Sequence, residues 1–116
     1  RGEAFTGKGI AGLGGGAIGQ NFGRNGRVIR TRGGWAQLLV RPAPAVELGA
    51  SVGIDDPKDA DLDLATQRLR NRTIGGQIQW RPAPLILGLE YRQIETRYGA
   101  GIAKAGHLNL AVGAEF

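Results

Sequence analysis

The sequence predicts an all-β fold, an antiparallel meander of about six strands. Apolar residues recur at every second position in several segments, which is typical of strands with one apolar side. Gly and Pro interrupt the chain often, with 21 Gly and 5 Pro among 116 residues, and no stretch has the spacing of an amphipathic helix. The length predicts a single domain, residues 1–116.

The first three predicted strands improve in regularity along the chain. Residues 3–13 are Gly-rich and alternate poorly, and residues 34–41 alternate with two apolar exceptions, Trp35 and Leu39. The third strand alternates strictly, which indicates that one face is apolar and the other small or polar. Its apolar residues are Val46, Leu48, Ala50, Val52 and Ile54.

The last three predicted strands cover residues 73–81, 85–92 and 105–116, with Ile86 the one apolar residue on the polar face of the fifth. The motif Arg-Pro-Ala-Pro stands at 41–44 and again at 81–84, and both copies are predicted to be tight turns because Pro cannot donate in a ladder. The connections at 14–29, 55–67 and 98–104 are predicted to be long loops. Antiparallel order then places all long loops at one end of the sheet.

The composition excludes several kinds of site. There is no Cys and one His, so disulfides, thiolate metal sites and paired-His metal sites are excluded. No Ser/His/acid constellation is present, and we expect no enzymatic activity, metal or cofactor. The chain contains no Met and no signal-peptide pattern, which predicts a mature product, a trimmed chain or a fragment.

The pattern of loops and faces points to a bilayer. A membrane strand needs ~9–11 tilted residues, which residues 85–97 and 105–116 supply. Uncharged faces of Leu, Val, Ile and Ala suit lipid, and the opposite faces suit a wet lumen. Short turns at one end and long loops at the other are typical of outer-membrane barrels. The meander is therefore predicted to form part of a transmembrane β-barrel.

The last ten residues, His107 to Phe116, carry a family resemblance. An alternating strand that ends in Phe resembles the carboxyl terminus of Gram-negative outer-membrane β-barrel proteins, and the Gly-rich segments resemble barrels of porin type. The resemblance implies a structural or passive channel protein of the bacterial outer membrane, in contact with outer-membrane lipid. It also implies recognition by the barrel-insertion machinery through Leu108, Leu110, Val112, Ala114 and Phe116.

Six strands are too few for a closed membrane barrel, for which about eight is the usual minimum. An open edge in lipid would leave backbone groups without hydrogen bonds. We therefore expect closure only with further strands, either from the remainder of a longer barrel or from a homo-oligomer.

Two groups of residues are candidate sites. The first shares the polar face and is predicted to line a lumen; the alternative is a solvated face with no selective role. Its members are Glu47, Ser51, Gln77, Gln79, Glu90, Arg92, His107, Asn109 and Glu115. The second group lies at the long-loop end and, by the alternation of the strands, points outward from the predicted barrel. It is predicted to contact phosphate groups of the outer-leaflet lipid. The alternative is that these residues stand clear of the membrane. The members of this group are Arg30, Arg32, Arg68, Arg70 and Arg72.

The loop at 55–67 is acidic. Its Asp spacing resembles a calcium loop, but the expected Gly is missing and Arg70 stands where the bidentate Glu belongs. A solvated loop, or a set of partners for the nearby arginines, fits better than a calcium site.

Two other functional classes remain open. The net charge is +5 and twelve of the fifteen basic residues are Arg, which permits a soluble β-sheet protein that binds nucleic acid. The arginines lie at strand ends rather than between stacking aromatics, which does not favour nucleic acid as a partner. An outer-membrane lipase or protease would need a catalytic constellation that this sequence lacks.

Overall fold

The computed structural model describes residues 1–13 and 17–115. They form one sheet of six antiparallel strands in which each strand pairs with its neighbours along the chain, so that β1 and β6 are the two edges. The all-β meander predicted from the sequence is confirmed. The strands are β1 Gly2–Lys8, β2 Arg30–Ala43, β3 Val46–Pro57, β4 Arg68–Trp80, β5 Leu85–Tyr98 and β6 Gly101–Ala114.

Several predicted boundaries are wrong, and β3 also continues to Pro57, into the predicted loop at 55–67. The loop predicted at 98–104 is a two-residue turn, because β5 continues to Tyr98 and pairs there with Gly101. Gly101 has a φ of +145°, a conformation that residues with a side chain rarely adopt. The small residues at 99–101 form a tight turn, although the sequence predicted them to be part of a longer loop. The first strand ends at Lys8 rather than at 13, and Ala11–Leu13 form a 3₁₀ turn.

The two Arg-Pro-Ala-Pro motifs are not equivalent. Residues 41–43 belong to β2, where the register shifts between Val40 and Ala43, and only residues 44–45 make the turn. The irregular register accommodates Pro42, which has no N–H to donate. Residues 81–84 lie outside the strands and form a four-residue turn, as predicted.

The connections alternate between two ends of the sheet. The loop end carries the connections at 9–29, 58–67 and 99–100, and the turn end carries those at 44–45 and 81–84. Two of the three connections at the loop end are long.

The register divides the sheet into two faces. One ladder row joins Leu48, Ile78, Leu89 and Leu110, and it belongs to the apolar face. On β3 and β4 the residues of the apolar face are mostly exposed, whereas those of the opposite, polar face are half-buried. This order of burial is the reverse of that in a water-soluble sheet with one covered face.

A small core lies at the loop end rather than on the sheet. Ile29, Leu62 and Leu69 are buried together, and Thr31 and Asp61 are buried polar residues among the described part of the chain. Within the described residues, no helix has the length and apolarity needed to cross a membrane.

Candidate functional site

The apolar face is an exposed surface that spans five of the six strands. Leu38 on β2, Val52 on β3, Ile74 on β4 and Leu110 on β6 are 68%, 57%, 55% and 80% exposed. Trp80 belongs to the same face at the turn end, where it pairs with Val46 and Leu87. At the centre of this band the large apolar side chains of the described residues remain exposed.

The boundary between apolar and charged residues crosses the strands obliquely. The row of Ile54 is apolar on β3 but reaches Arg72 on β4. The next row toward the turn end, that of Val52 and Ile74, reaches Gln93 on β5. One row further toward the turn end, the apolar residues extend across β5 and β6, where Tyr91 lies opposite Leu108.

The offset of this boundary from strand to strand measures the tilt of the strands. The end of the continuous apolar run moves by four residues over the three steps from Ile54 on β3 to Leu108 on β6. The first charged pair moves by two residues over four steps, from Arg32 with Asp56 to Glu95 with Lys104. A shift of about 0.5–1.3 residues per strand, at ~3.4 Å per residue and ~4.8 Å between strands, inclines the strands by roughly 20–45° from the normal to the boundary. Strands of membrane barrels tilt by ~35–45°.

The polar face holds the residues predicted to line a lumen, and the register brings them together in rows. Glu47 pairs with Gln79, Gln77 with Glu90 and Asn109, and Ser51 leads through Gly75 to Arg92 and His107. Glu115 lies beyond the end of β6, where its backbone N–H donates to the carbonyl of Pro84 at 2.9 Å.

Several charged groups on the polar face are paired with neighbours on the same face. The Nη2 of Arg92 donates to Glu90 Oε1 at 2.6 Å, and Asn109 Nδ2 donates to the same oxygen at 3.0 Å. At the turn end, Arg41 Nε donates to Glu47 Oε2 at 2.9 Å. Charges of opposite sign therefore neighbour one another on this face.

The acidic loop and the arginines meet at the loop end. Asp56 accepts hydrogen bonds from Arg32 and Arg70, and its Oδ1 lies 2.6 Å from Arg70 Nε. Asp59 accepts from Arg97 at 2.9 Å. The sequence left open whether this loop is solvated or supplies partners for the arginines. In the structure, its carboxylates are partners of the arginines.

Asp61 is the centre of this arrangement. Its carboxylate is fully buried and accepts two hydrogen bonds of 2.6 Å from Nε and Nη2 of Arg30, in a bidentate pair. These hydrogen bonds hold the pKa of Asp61 far below its usual range, although burial opposes them by raising it; the Arg30 backbone N–H and the charges of Arg30 and Arg27 lower it further.

The predicted arginine group divides in the structure. Arg30, Arg32, Arg70 and Arg72 lie on the apolar face, beyond its boundary toward the loop end. Arg68 does not follow them, because a register shift between residues 68 and 70 pairs it with Tyr98, which has the parity of the polar face. Strand parity counted along the sequence cannot detect such a bulge.

Sequence reasoning missed several residues of this region. Thr6 and Lys58 line a groove with Arg30, Arg32 and Arg70, and its volume is about 450 Å³. Lys58 lies within the acidic loop, and no sequence pattern indicated that it belongs to a site. Thr6 pairs with Arg32 across β1 and β2, a contact that depends on register.

The predicted insertion segment lies at the edge of the sheet. Leu108, Leu110 and Val112 on β6 point to the apolar face and are exposed, and Ala114 ends the strand. Phe116, the last residue of that predicted segment, lies outside the described residues.

Comparison of the chain with protein-family models, with curated proteins and with solved structures finds no match.

Proposed function

We propose that this chain is part of a bacterial outer-membrane β-barrel, with a structural or passive, porin-like channel role and no chemistry of its own. The exposed apolar band with its oblique boundary is the observation that carries the proposal. In water, that band would be an unfavourable surface, since each apolar side chain gains roughly 1.5–3 kcal/mol when it leaves water. In a bilayer, the same surface faces a solvent that it matches.

The dimensions of the band support the proposal. On β3 the apolar face extends from Val46 to Ile54, about 27 Å along the strand at ~3.4 Å per residue. A tilt of ~35–45° converts this length into a height of about 19–22 Å, comparable with the ~25 Å apolar band of outer-membrane barrels. Trp80 at the turn end is placed where such barrels carry interfacial aromatics.

The polar face supports a passive role. Its rows combine Gly, Gln, Asn and Ser with carboxylates that are already paired with Arg, as Glu90 is with Arg92. Such a wall is compatible with water and small polar solutes.

The barrel requires more strands than these six. Both edges have unpaired backbone groups on their outer sides, and lipid cannot satisfy them. Closure therefore involves strands of a longer chain or of a second copy, with assembly by the barrel-insertion machinery.

Insertion into lipid tests this function. We expect the chain, diluted from denaturant, to form heat-modifiable β-structure only with detergent or phospholipid vesicles. Leu110→Arg should destabilise the inserted state by about 2–4 kcal/mol, because the residue faces the bilayer interior. Asn109→Arg is the matched control on the adjacent, polar-face position, where an added Arg meets Glu90, and it should cost far less.

Two results would contradict the proposal. A monodisperse, folded monomer in plain buffer would favour the soluble alternative, including a nucleic-acid-binding sheet. Equal sensitivity to Leu110→Arg and Asn109→Arg would show that the two faces have the same environment. Leu87→Arg with Ser51→Arg repeats the comparison on β5 and β3.

A further inference from the structure

The groove at the loop end of the apolar face has the chemistry of an anion site. Arg30, Arg32 and Arg70 line it together with Thr6 and Lys58, and two carboxylates, Asp56 and Asp59, oppose them. A guanidinium presents five N–H donors in a planar fork, which matches the oxygens of phosphate.

The carboxylates hold the arginines in place but occupy only some of the N–H donors of each guanidinium. Asp56 sits between two of them and accepts from Nε and Nη2 of Arg32 and from Nε of Arg70. Asp61 binds Arg30 through Nε and Nη2. Among the described contacts, Nη1 and Nη2 of Arg70 have no partner, and neither do Nη1 of Arg30 and Nη1 of Arg32. These nitrogens can donate to a ligand.

The surroundings of the groove are also cationic. The apolar face carries a cationic belt beyond its boundary, in which seven basic residues accompany only two acidic ones, Asp56 and Glu95. Asp59 and Asp61 from the acidic loop neutralise only part of this charge. The basic residues of the belt are Lys8, Arg30, Arg32, Arg70, Arg72, Arg97 and Lys104.

We propose that Arg30, Arg32 and Arg70 bind the phosphate group of an anionic lipid of the leaflet at the loop end. This inference rests on the proposed function, because the apolar band fixes the depth of the groove: it lies directly beyond the boundary, at the level of lipid headgroups. The lipid phosphate makes charge-assisted hydrogen bonds to the free edges of the arginines and to the Thr6 hydroxyl. Lys58 adds a further positive charge to the lining of the groove.

Lipid retention measures this binding. The chain is inserted into phosphatidylcholine vesicles with and without phosphatidic acid, extracted in mild detergent, and examined by native mass spectrometry for bound anionic lipid. We expect the double variant Arg32→Gln/Arg70→Gln to retain about tenfold less phosphatidic acid, because two charge-assisted contacts are lost. The matched double variant Arg41→Gln/Arg81→Gln makes the same charge change at the turn end and should retain lipid normally.

Asp56→Asn distinguishes binding from a structural role. It removes the carboxylate that competes with phosphate for Arg32 and Arg70, and we expect retention of phosphatidic acid to rise. A groove whose arginines serve only to hold the loop would lose stability in this variant with no gain in lipid.

Each remaining outcome overturns the inference. Equal loss in both double variants would mean that overall charge attracts the lipid. Inserted wild-type chain without retained phosphatidic acid would leave the proposed function intact and exclude the lipid site. Displacement of the lipid by equimolar inorganic phosphate would identify a site for free phosphate. Failure of the wild type to insert at all would remove the proposed function and the inference together.

Discussion

Glycines of the polar face lie under larger side chains. Gly33 on β2 pairs with Phe5 on β1, and a Cβ at Gly33 would come within 2.5 Å of the Phe5 ring and 2.4 Å of the Ile54 carbonyl oxygen. At Gly49 a Cβ would meet Gln77 at 2.6 Å. Side chains that lie flat across a glycine cover the sheet without a second layer.

Gly33→Ala tests this packing. The added methyl group overlaps backbone as well as the Phe5 ring, so we expect the free energy of unfolding to fall by about 1–3 kcal/mol. Urea unfolding of the chain in detergent micelles measures it. Gly53→Ala is the control on the same face, since its nearest neighbour would be Trp35 Cβ at 3.7 Å. An equal loss at both positions would argue against a specific overlap at Gly33.

The acidic loop joins the elements of the loop end. Its backbone at Asp61 approaches Gly23 so closely that a Cβ there would overlap the carbonyl, and Leu64 approaches Gly99 in the same way. The loop thereby contacts the first long connection and the β5–β6 turn, while Asp61 fixes Arg30 at the start of β2. The acidic loop is therefore held both by the neighbouring connections and by Arg30 of the sheet.

Acid should loosen this loop. Because Arg30 lowers the pKa of Asp61, the stabilisation is fully present above the unfolded-state pKa of about 4 and is lost as the pH falls below it toward the folded-state pKa. Hydrogen-exchange protection of the Ile29 and Leu62 amides should therefore decline in acid. Asp61→Asn should lower their protection already at neutral pH and remove most of the pH dependence.

Asp63→Asn provides the control for the loop. Among the described contacts, the Asp63 carboxylate accepts hydrogen bonds only from the Ala65 N–H and the Thr66 hydroxyl, and it has no arginine partner. Protection that survives at neutral pH in Asp61→Asn would show that the carboxylate does not hold the loop.

At the scale of the molecule, the chain lacks the compactness of a globular domain. Its radius of gyration is 17.5 Å, whereas a compact domain of this length has ~13 Å. Its accessible surface of 7775 Å² exceeds the ~6,100 Å² expected for a folded monomer of this mass. Under the function proposed above, lipid and further strands would cover the surface that the chain itself leaves exposed.

Assembly follows from the two free edges. All fourteen residues of β6 are exposed, and β1 pairs on one side only. We expect the inserted 116-residue chain to associate into an oligomer with an even number of strands, most simply a dimer, because edge backbone groups cannot remain unpaired in lipid. Native mass measurement in mild detergent checks this. A stable inserted monomer, with β1 paired to β6 in a closed six-strand ladder, is the result that would exclude it.

The sequence by itself determined the strand content, the order of the meander and the two faces. Alternation with period two is local and depends on neither length nor partner, which is why β3 could be predicted almost to its ends. The members of the candidate lumen and arginine groups follow from the same parity wherever the ladder is regular.

Only the tertiary structure decided the register, and with it the contacts. The bulge before Arg70 changes the partner of Arg68, and the pairing of Asp61 with Arg30 joins residues that are 31 positions apart. The oblique boundary of the apolar band also exists only once strands are aligned. These features depend on hydrogen bonds between distant segments, and local periodicity carries no information about how one strand is offset against the next.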